Sequence, residues 1–314
     1  MDATIGSLAA SVVIPVRGRS DDLRKCLEKL VEQTVPADQF EILVCDDGSQ
    51  PRDSDAIRAA CAMDSRIRYL KQPPRGPAAA RNLGIGCARA PIVAFTDSDT
   101  LPTPGWLEAL LAPFADPAIV GVEGPVRTPE AATSPLQEAP RNETGGVFLT
   151  ANMAYRRSAL LQVGGLDESF PLPAFEDVDL ALCVRGLGKY AFAAQALVLH
   201  PWRKITLQSS VRRLRQFDWL LLTALRHGCL GWADRPTKYA RYRIALAAAI
   251  TLPLGRMRKG ASYLFSNPRD GLQRIGISFI EAAIGLLMVP RFLRRAYPTE
   301  RRRYLEPAMA GAAA

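Results

Sequence analysis

The chain has 314 residues, 48% of them hydrophobic, and a formal net charge of +9, which is length and apolar content enough for one large α/β domain with an appendage or for two ordinary domains. The charge is divided unevenly: residues 1–200 hold 19 Lys/Arg and 25 Asp/Glu (net −6), whereas residues 201–314 hold 21 and 6 (net +15), so an anionic partner belongs to the tail. The six cysteines (Cys26, Cys45, Cys61, Cys87, Cys183, Cys229) form no C-x-x-C pair and there is no histidine cluster, which excludes a Cys-based zinc site and reads as reduced core thiols in a cytosolic protein.

Met1 to Ala10 lacks a basic segment followed by a sustained apolar stretch, so no secretory signal is expected there. Ser11-Val12-Val13-Ile14-Pro15 reads as a buried parallel strand running into a loop. Leu23, Cys26, Leu27, Leu30 and Val31 then recur at helical spacing, with Ser20 or Asp21 placed to cap the first turn. Phe40 to Cys45, Ile67 to Leu70 and Ile92 to Thr96 repeat the strand pattern, and Asp55–Met63 and Pro77–Ala90 read as helices between them. Such alternation predicts a mostly parallel sheet with helices on both faces. Residues 126–146, rich in Pro, Glu, Thr and Ala, lack periodicity and read as a mobile loop of the kind that covers sites. No internal repeat is visible.

Sheets of this kind bind ligands at the carboxyl ends of their strands, and here those ends are acidic. Asp97-Ser98-Asp99 follows one strand and sets two carboxylates close together, an arrangement suited to a hard divalent cation holding a diphosphate; a turn of solvated aspartates is the plain alternative. Asp46-Asp47-Gly48-Ser49 follows another strand, either as a turn or as carboxylates facing a base or ribose. Gly76 through Arg81-Asn82 opens a helix that could bring a guanidinium and a helix N-terminus to a phosphate. Gly164-Gly165-Leu166-Asp167-Glu168 and Glu176-Asp177-x-Asp179 come later, the second at the start of another helix, where the dipole alone can account for its acids.

In this order, Ile14-Pro15, Asp46-Asp47-Gly48-Ser49, Gly76 to Asn82, Asp97-Ser98-Asp99, Gly164 to Glu168 and Glu176-Asp177 resemble the family-2 glycosyltransferases of GT-A fold, over about residues 10 to 205. The resemblance implies a donor site of Pro15, Arg17, Asp46, Asp47, Arg81 and Asp97, and acceptor or sugar contacts from Asn152 and Glu176. It implies a Mn2+ or Mg2+ site at Asp97 and Asp99, with His200, after the Ala196–Leu199 strand, completing the metal or diphosphate contacts. Asp177 would be the general base of a single, inverting displacement on a nucleotide-diphosphate sugar, UDP-sugar by default. His227 has no such support.

The processive synthases of that family add a Gln-x-x-Arg-Trp motif; Gln216-Phe217-Asp218-Trp219 lacks its arginine and spacing, so transfer of one sugar is expected. In the tail, Ile244 to Leu254 and Ile275 to Val289 are apolar runs flanked by arginines, the second interrupted by Glu281. Neither reaches the ~20 residues of a spanning helix. They suit helices lying on an anionic membrane surface, helices packed on the catalytic domain, or a contact between two copies.

The expected organisation is thus a catalytic domain over 1–232 and a helical region over 233–314. The expected setting is cytoplasmic, peripheral at the inner face of the membrane, with a cell-envelope or lipid-linked glycan as acceptor. A nucleotidyltransferase would want a glycine-rich, basic loop after the first strand, of which Val16-Arg17-Gly18-Arg19 is a poor version. A nucleic-acid-binding role for the +15 tail lacks aromatics placed for stacking and a recognised module, so no nucleic acid is expected.

Overall fold

The computed structural model describes residues 8–170, 175–214, 223 and 253–295. Gln216–Trp219, His227, the first seven residues, nearly all of the 244–254 run and the expected boundary at 232 lie outside the described residues. By compactness the chain forms an N-terminal unit of residues 1–131 and 139–201 and a C-terminal unit of residues 132–138 and 202–314.

In the N-terminal unit the parallel half of the sheet forms as the apolar runs predict. Strand β1 (Ala10–Val16) is flanked by β2 (Phe40–Asp47) and β4 (Ile92–Phe95), and β3 (Ile67–Gln72) lies beyond β2, all parallel. Alternate side chains serve opposite faces. Val12, Ile14, Ile42 and Val44 meet α1 (Ser20–Val31), α2 (Pro51–Cys61) and α4 (Trp106–Leu111), whereas Val13, Leu43 and Cys45 meet α3 (Pro77–Cys87) and α5 (Arg157–Gln162). A sheet covered on both faces needs no polar face, hence the unbroken apolar runs. Gly84 lets α3 sit close, since a Cβ there would come within 2.4 Å of Val13 Cγ1.

Six strands do not follow from the apolar runs. Beyond the short β5 (Leu101–Pro102) come β6 (Ile119–Glu123), β7 (Val126–Arg127) and, in the other unit, β8 (Gln137–Glu138). Strand β9 (Met153–Arg156) then enters between β4 and β6, antiparallel to both, and β10 (Lys189–Phe192) closes the far edge parallel to β6. The helix α6 (Glu176–Arg185) precedes β10, and β11 (Val198–Leu199) pairs with β5 and β7 in a small second sheet.

Helix α1 corrects one expectation. Its N-cap is Arg19, in the left-handed region (φ 54°), and no side chain caps it; Ser20 is already inside the helix, and Asp21 and Asp22 serve only as acids in its first turn. The five described cysteines are unpaired, as reduced thiols would be, and burial pushes Cys26, Cys45 and Cys61 up to about 12.

The C-terminal unit pairs β8 with β12 (Arg203–Lys204) and adds α7 (Leu207–Leu214), a helix over 253–262 and α8 (Pro268–Arg295). The run Ile275–Val289 lies inside α8. No helix among the described residues is long and apolar enough to cross a membrane.

Candidate active site

Four strand ends and one helix start converge at the carboxyl edge of the β1–β4 half. The Asp46-Asp47-Gly48-Ser49 turn lies at the end of β2, with Gly48 at φ +68° and Pro74 Cδ only 2.5 Å from where a Cβ would stand, so only glycine fits. Asp46 is fully buried: Oδ1 accepts from Ser49 N–H (2.8 Å), and Oδ2 from Ser54 Oγ (2.8 Å) and Tyr69 OH (2.7 Å). Burial pushes its carboxyl up, but the bonds from Ser49, Tyr69 and Ser54 outweigh that and hold it below the usual range. Asp47 accepts from Gln72 Nε2 (2.9 Å), Arg75 N–H (2.8 Å) and Gly76 N–H (2.9 Å), which fixes the chain entering α3. These two expected donor residues therefore carry the loops that frame the site. Pro15 is half-buried near the end of β1, and Arg17 is exposed just past it.

Arg81, in α3, is buried and committed to acids: Nη2 donates to Asp97 Oδ1 at 2.9 Å and Nη1 to Glu176 Oε1 at 3.1 Å. Burial works against its charge, and Asp97, Glu176 and Asp177 together more than restore it. The guanidinium expected to face a base or diphosphate thus joins the end of β4 to the start of α6. Next to it, Asn82 accepts from Leu166 N–H (2.8 Å) and donates to Leu166 O (2.9 Å) and Glu168 Oε1 (3.0 Å), tying the Gly164-to-Glu168 segment to α3.

The turn after β4 is braced by Thr100 Oγ1, which donates to Asp97 O (2.7 Å), and by Thr96 Oγ1, which donates to Ala151 O (3.0 Å). Asp97 and Asp99 flank the buried Ser98, and β11 delivers His200 beside them, so that one ligand atom from each of Asp97, Asp99 and His200 lies within 4.8 Å of the others. His200 is fully buried. Its Nδ1 is 2.9 Å from Pro201 O, and because a carbonyl only accepts, Nδ1 carries the hydrogen. In the neutral ring Nε2 is then a lone pair; it makes no hydrogen bond and faces Asp99 Oδ1 at 3.7 Å. A buried acceptor turned toward a carboxylate is costly unless a cation lies between them, so these residues fit a divalent metal ligated by two carboxylates and one imidazole.

Sequence reasoning missed Arg19, whose Nη1 donates to Asp99 Oδ2 at 2.8 Å. The only signal was the Arg17-Gly18-Arg19 loop, where Gly18 and Arg19 both take positive φ and Gly18 N–H is held by Ser49 Oγ at 2.8 Å.

Helix α6 starts abruptly. Phe175 is left-handed (φ 70°), and Glu176, Asp177 and Asp179 crowd the first turn, where the dipole favours anions. Burial raises the Asp177 carboxyl above the aspartate range, while Arg81 and the backbone N–H groups of Val178 and Thr150 pull it back. Glu176 is raised to about 7 by burial and by Asp177, against the pull of Arg81. With all acids ionised, Asp97, Asp99, Glu176 and Asp177 outnumber Arg19 and Arg81 by two charges, the charge of one divalent cation.

Asn152 does not join this group. It is buried, its Oδ1 accepts from Trp106 Nε1 (2.7 Å), and its Nδ2 donates to Pro125 O (2.8 Å) and Ala196 O (2.7 Å), so it braces three segments of the chain.

Residues 11–164 match the family described as Glycosyl transferase family 2. A pre-mycofactocin glycosyltransferase of Mycobacterium tuberculosis is 37% identical over 213 residues, which is 62% of this chain and 43% of that protein, so the chain spans less than half the length of this relative. A validoxylamine A glucosyltransferase of Streptomyces hygroscopicus is 39% identical over 110 residues, 34% of this chain and 26% of that one. Among solved structures, a mannosyltransferase from Pyrobaculum calidifontis in complex with GDP-Man and Mn2+ superposes with TM-score 0.58 at 18% identity, covering 88% of this chain and 86% of that one. GalNAc-T7 with UDP, GalNAc and Mn2+ gives 0.52 at 15% identity, covering 62% and 43%.

Proposed function

Because this chain carries a family-2 glycosyltransferase domain of GT-A fold, we propose that it moves one sugar from a nucleotide-diphosphate sugar to an acceptor hydroxyl with inversion at the anomeric carbon. The observation that carries this reading is the Asp97–Asp99–His200 cluster with the bare Nε2 of His200 turned into it. Relatives of the same fold that hold GDP-Man or UDP together with Mn2+ support a nucleotide diphosphate and a divalent cation as its occupants.

Asp97, Asp99 and His200 would hold Mn2+ or Mg2+, which when bound would supply positive charge against the leaving diphosphate. Asp177 accepts the proton of the acceptor hydroxyl as the new O–C1 bond forms and the bond from C1 to the diphosphate oxygen breaks. A carboxyl raised by burial is a stronger base than a free aspartate, and Arg81 favours its ionised form. Arg81 also fixes the relative positions of Asp97 and Glu176, so the metal side and the base side of the site share one rigid cation. Asp47 and the loop after Pro15 border the nucleoside. UDP is the default carrier, the acceptor is a hydroxyl of a lipid-linked or cell-envelope glycan, and the chain works at the cytoplasmic face of a membrane, a placement supported by the +15 charge of residues 201–314.

The test is calorimetric titration of the full chain with UDP, GDP and dTDP, each with Mn2+ and with chelator. Metal-dependent binding of one nucleotide is expected, and no binding of any would overturn the reading.

A further inference from the structure

Helix α8 is amphipathic in the reverse sense. Its mid-helix polar residues lie inside: Arg274 is 2% exposed, Glu281 1%, and Ser278 is fully buried with its Oγ donating to Arg274 O at 2.9 Å. Glu281 meets Arg256, from the helix over 253–262, at 3.1 Å, and the same two helices approach closely at Gly260 and Gly271. The opposite face is apolar and bare. Leu272 is 63% exposed, Phe279 62% and Leu287 78%, with Ile280 and Leu286 beside them and Phe265 standing fully clear of the turn before the helix. At 100° per residue, the exposed Leu, Phe and Ile side chains of α8 fall within an arc of about 120°, directly opposite Arg274, Ser278 and Glu281, with the exposed Arg269 inside that arc and Gln273 at its border.

A helix that buries an ion pair and presents two turns or more of Leu, Phe and Ile to solvent is arranged for an apolar medium on its outer side. We propose that this face of α8 docks into the surface of an anionic lipid bilayer, with Phe265, Leu272, Phe279 and Leu287 entering the boundary between headgroups and acyl chains. The charge selects the partner. Residues 201–314 carry net +15; Arg258 is exposed on the helix over 253–262, Arg269 is exposed in the first turn of α8, and Arg291, Arg294 and Arg295 belong to its last two turns. Two copies brought face to face would set these like charges against each other, whereas an anionic leaflet attracts them. The apolar face and its basic ends thus select the same surface, and among the described residues no helix is long and apolar enough to cross it.

The inference takes from the proposed function only the peripheral placement. Vesicle binding needs no turnover, so its failure would leave the transfer reading standing, and loss of transfer would leave this one standing.

The experiment is co-sedimentation of the full chain with phosphatidylglycerol-containing vesicles and with pure phosphatidylcholine vesicles. It is run on the wild type, on Phe279→Glu/Leu287→Glu and on Phe279→Ala/Leu287→Ala, with thermal melts and light scattering on each. Binding to the anionic vesicles is expected, with at least about a tenfold loss in both variants and unchanged melting, because the replaced side chains are already in solvent. Absence of binding by the wild type would overturn the proposal, as would binding unaltered in both variants. A wild-type dimer that the variants dissociate, without vesicle binding, would assign the face to self-association instead.

Discussion

Arg81 and Glu176 meet at 3.1 Å with both side chains almost wholly buried, so a single guanidinium holds together the turn after β4 and the first turn of α6. Removing one partner of such a pair leaves the other charged and dry, which costs about 3–5 kcal/mol. Arg81→Met should lower stability by that order in a denaturant melt. It should also raise the acid limb of the kcat/KM profile, because Arg81 is what pulls the Asp177 carboxyl down. A limb that stays in place would remove Arg81 from the electrostatics of the base.

The position of Asp177 fixes the sense of its pH dependence. Its carboxyl is raised, chiefly by burial, so kcat/KM should fall as pH drops through a value above the ordinary aspartate range and not in the range of free carboxylates. Asp177→Asn should cut kcat by about 10²–10⁴-fold while donor binding, read by calorimetry, stays near wild type. Weak donor binding with kcat preserved would reassign Asp177 to binding.

Glu176 gives a stability prediction of known sign. A carboxyl raised to about 7 in the folded state contributes stability that is fully present below its unfolded pKa and is lost as pH rises through 7. Glu176→Gln should therefore flatten the decline in stability between pH 5 and 8, by up to about 3 kcal/mol, in melts taken across that interval.

His200→Ala removes the single neutral ligand of the proposed metal site. Affinity for Mn2+ in the presence of nucleotide should drop by at least about 10–100-fold, with the fold retained, as measured by calorimetry and circular dichroism. Equal Mn2+ affinity in the variant would exclude His200 from coordination.

Asn152→Ala separates bracing from contact. It leaves Trp106 Nε1 and the carbonyls of Pro125 and Ala196 without their partner, a loss of about 2–4 kcal/mol in a melt. The KM for donor should change little in the folded fraction. A large KM effect at unchanged stability would restore the sugar contact expected from sequence.

What could be read in the sequence follows from locality. Strands β1 to β4 are continuous apolar runs because both faces are covered, and the acids at their ends stand out against them. Strand β9 gave no such signal: four residues, placed antiparallel between β4 and β6 by pairings with segments far away in the chain. The site divides the same way. Asp97, Asp99 and His200 belong to recognisable strand ends, and they do come together. Arg19 was hidden because its reach to Asp99 depends on two consecutive positive φ angles in a loop, and the bracing by Asn152 was not legible because an amide is chemically identical whether it braces carbonyls or binds a sugar.

Residues 132–138 count with the C-terminal unit although they are flanked on both sides by the N-terminal one, and among the described residues their strand β8 pairs only with β12. At about 5–20 residues per second, β8 is synthesised about 3 to 13 seconds before Arg203 and Lys204 exist to pair with it. The two units are therefore not interchangeable cassettes. A chain cut after Pro201 would keep a piece of the lost unit, with the otherwise buried Leu136 stranded in water.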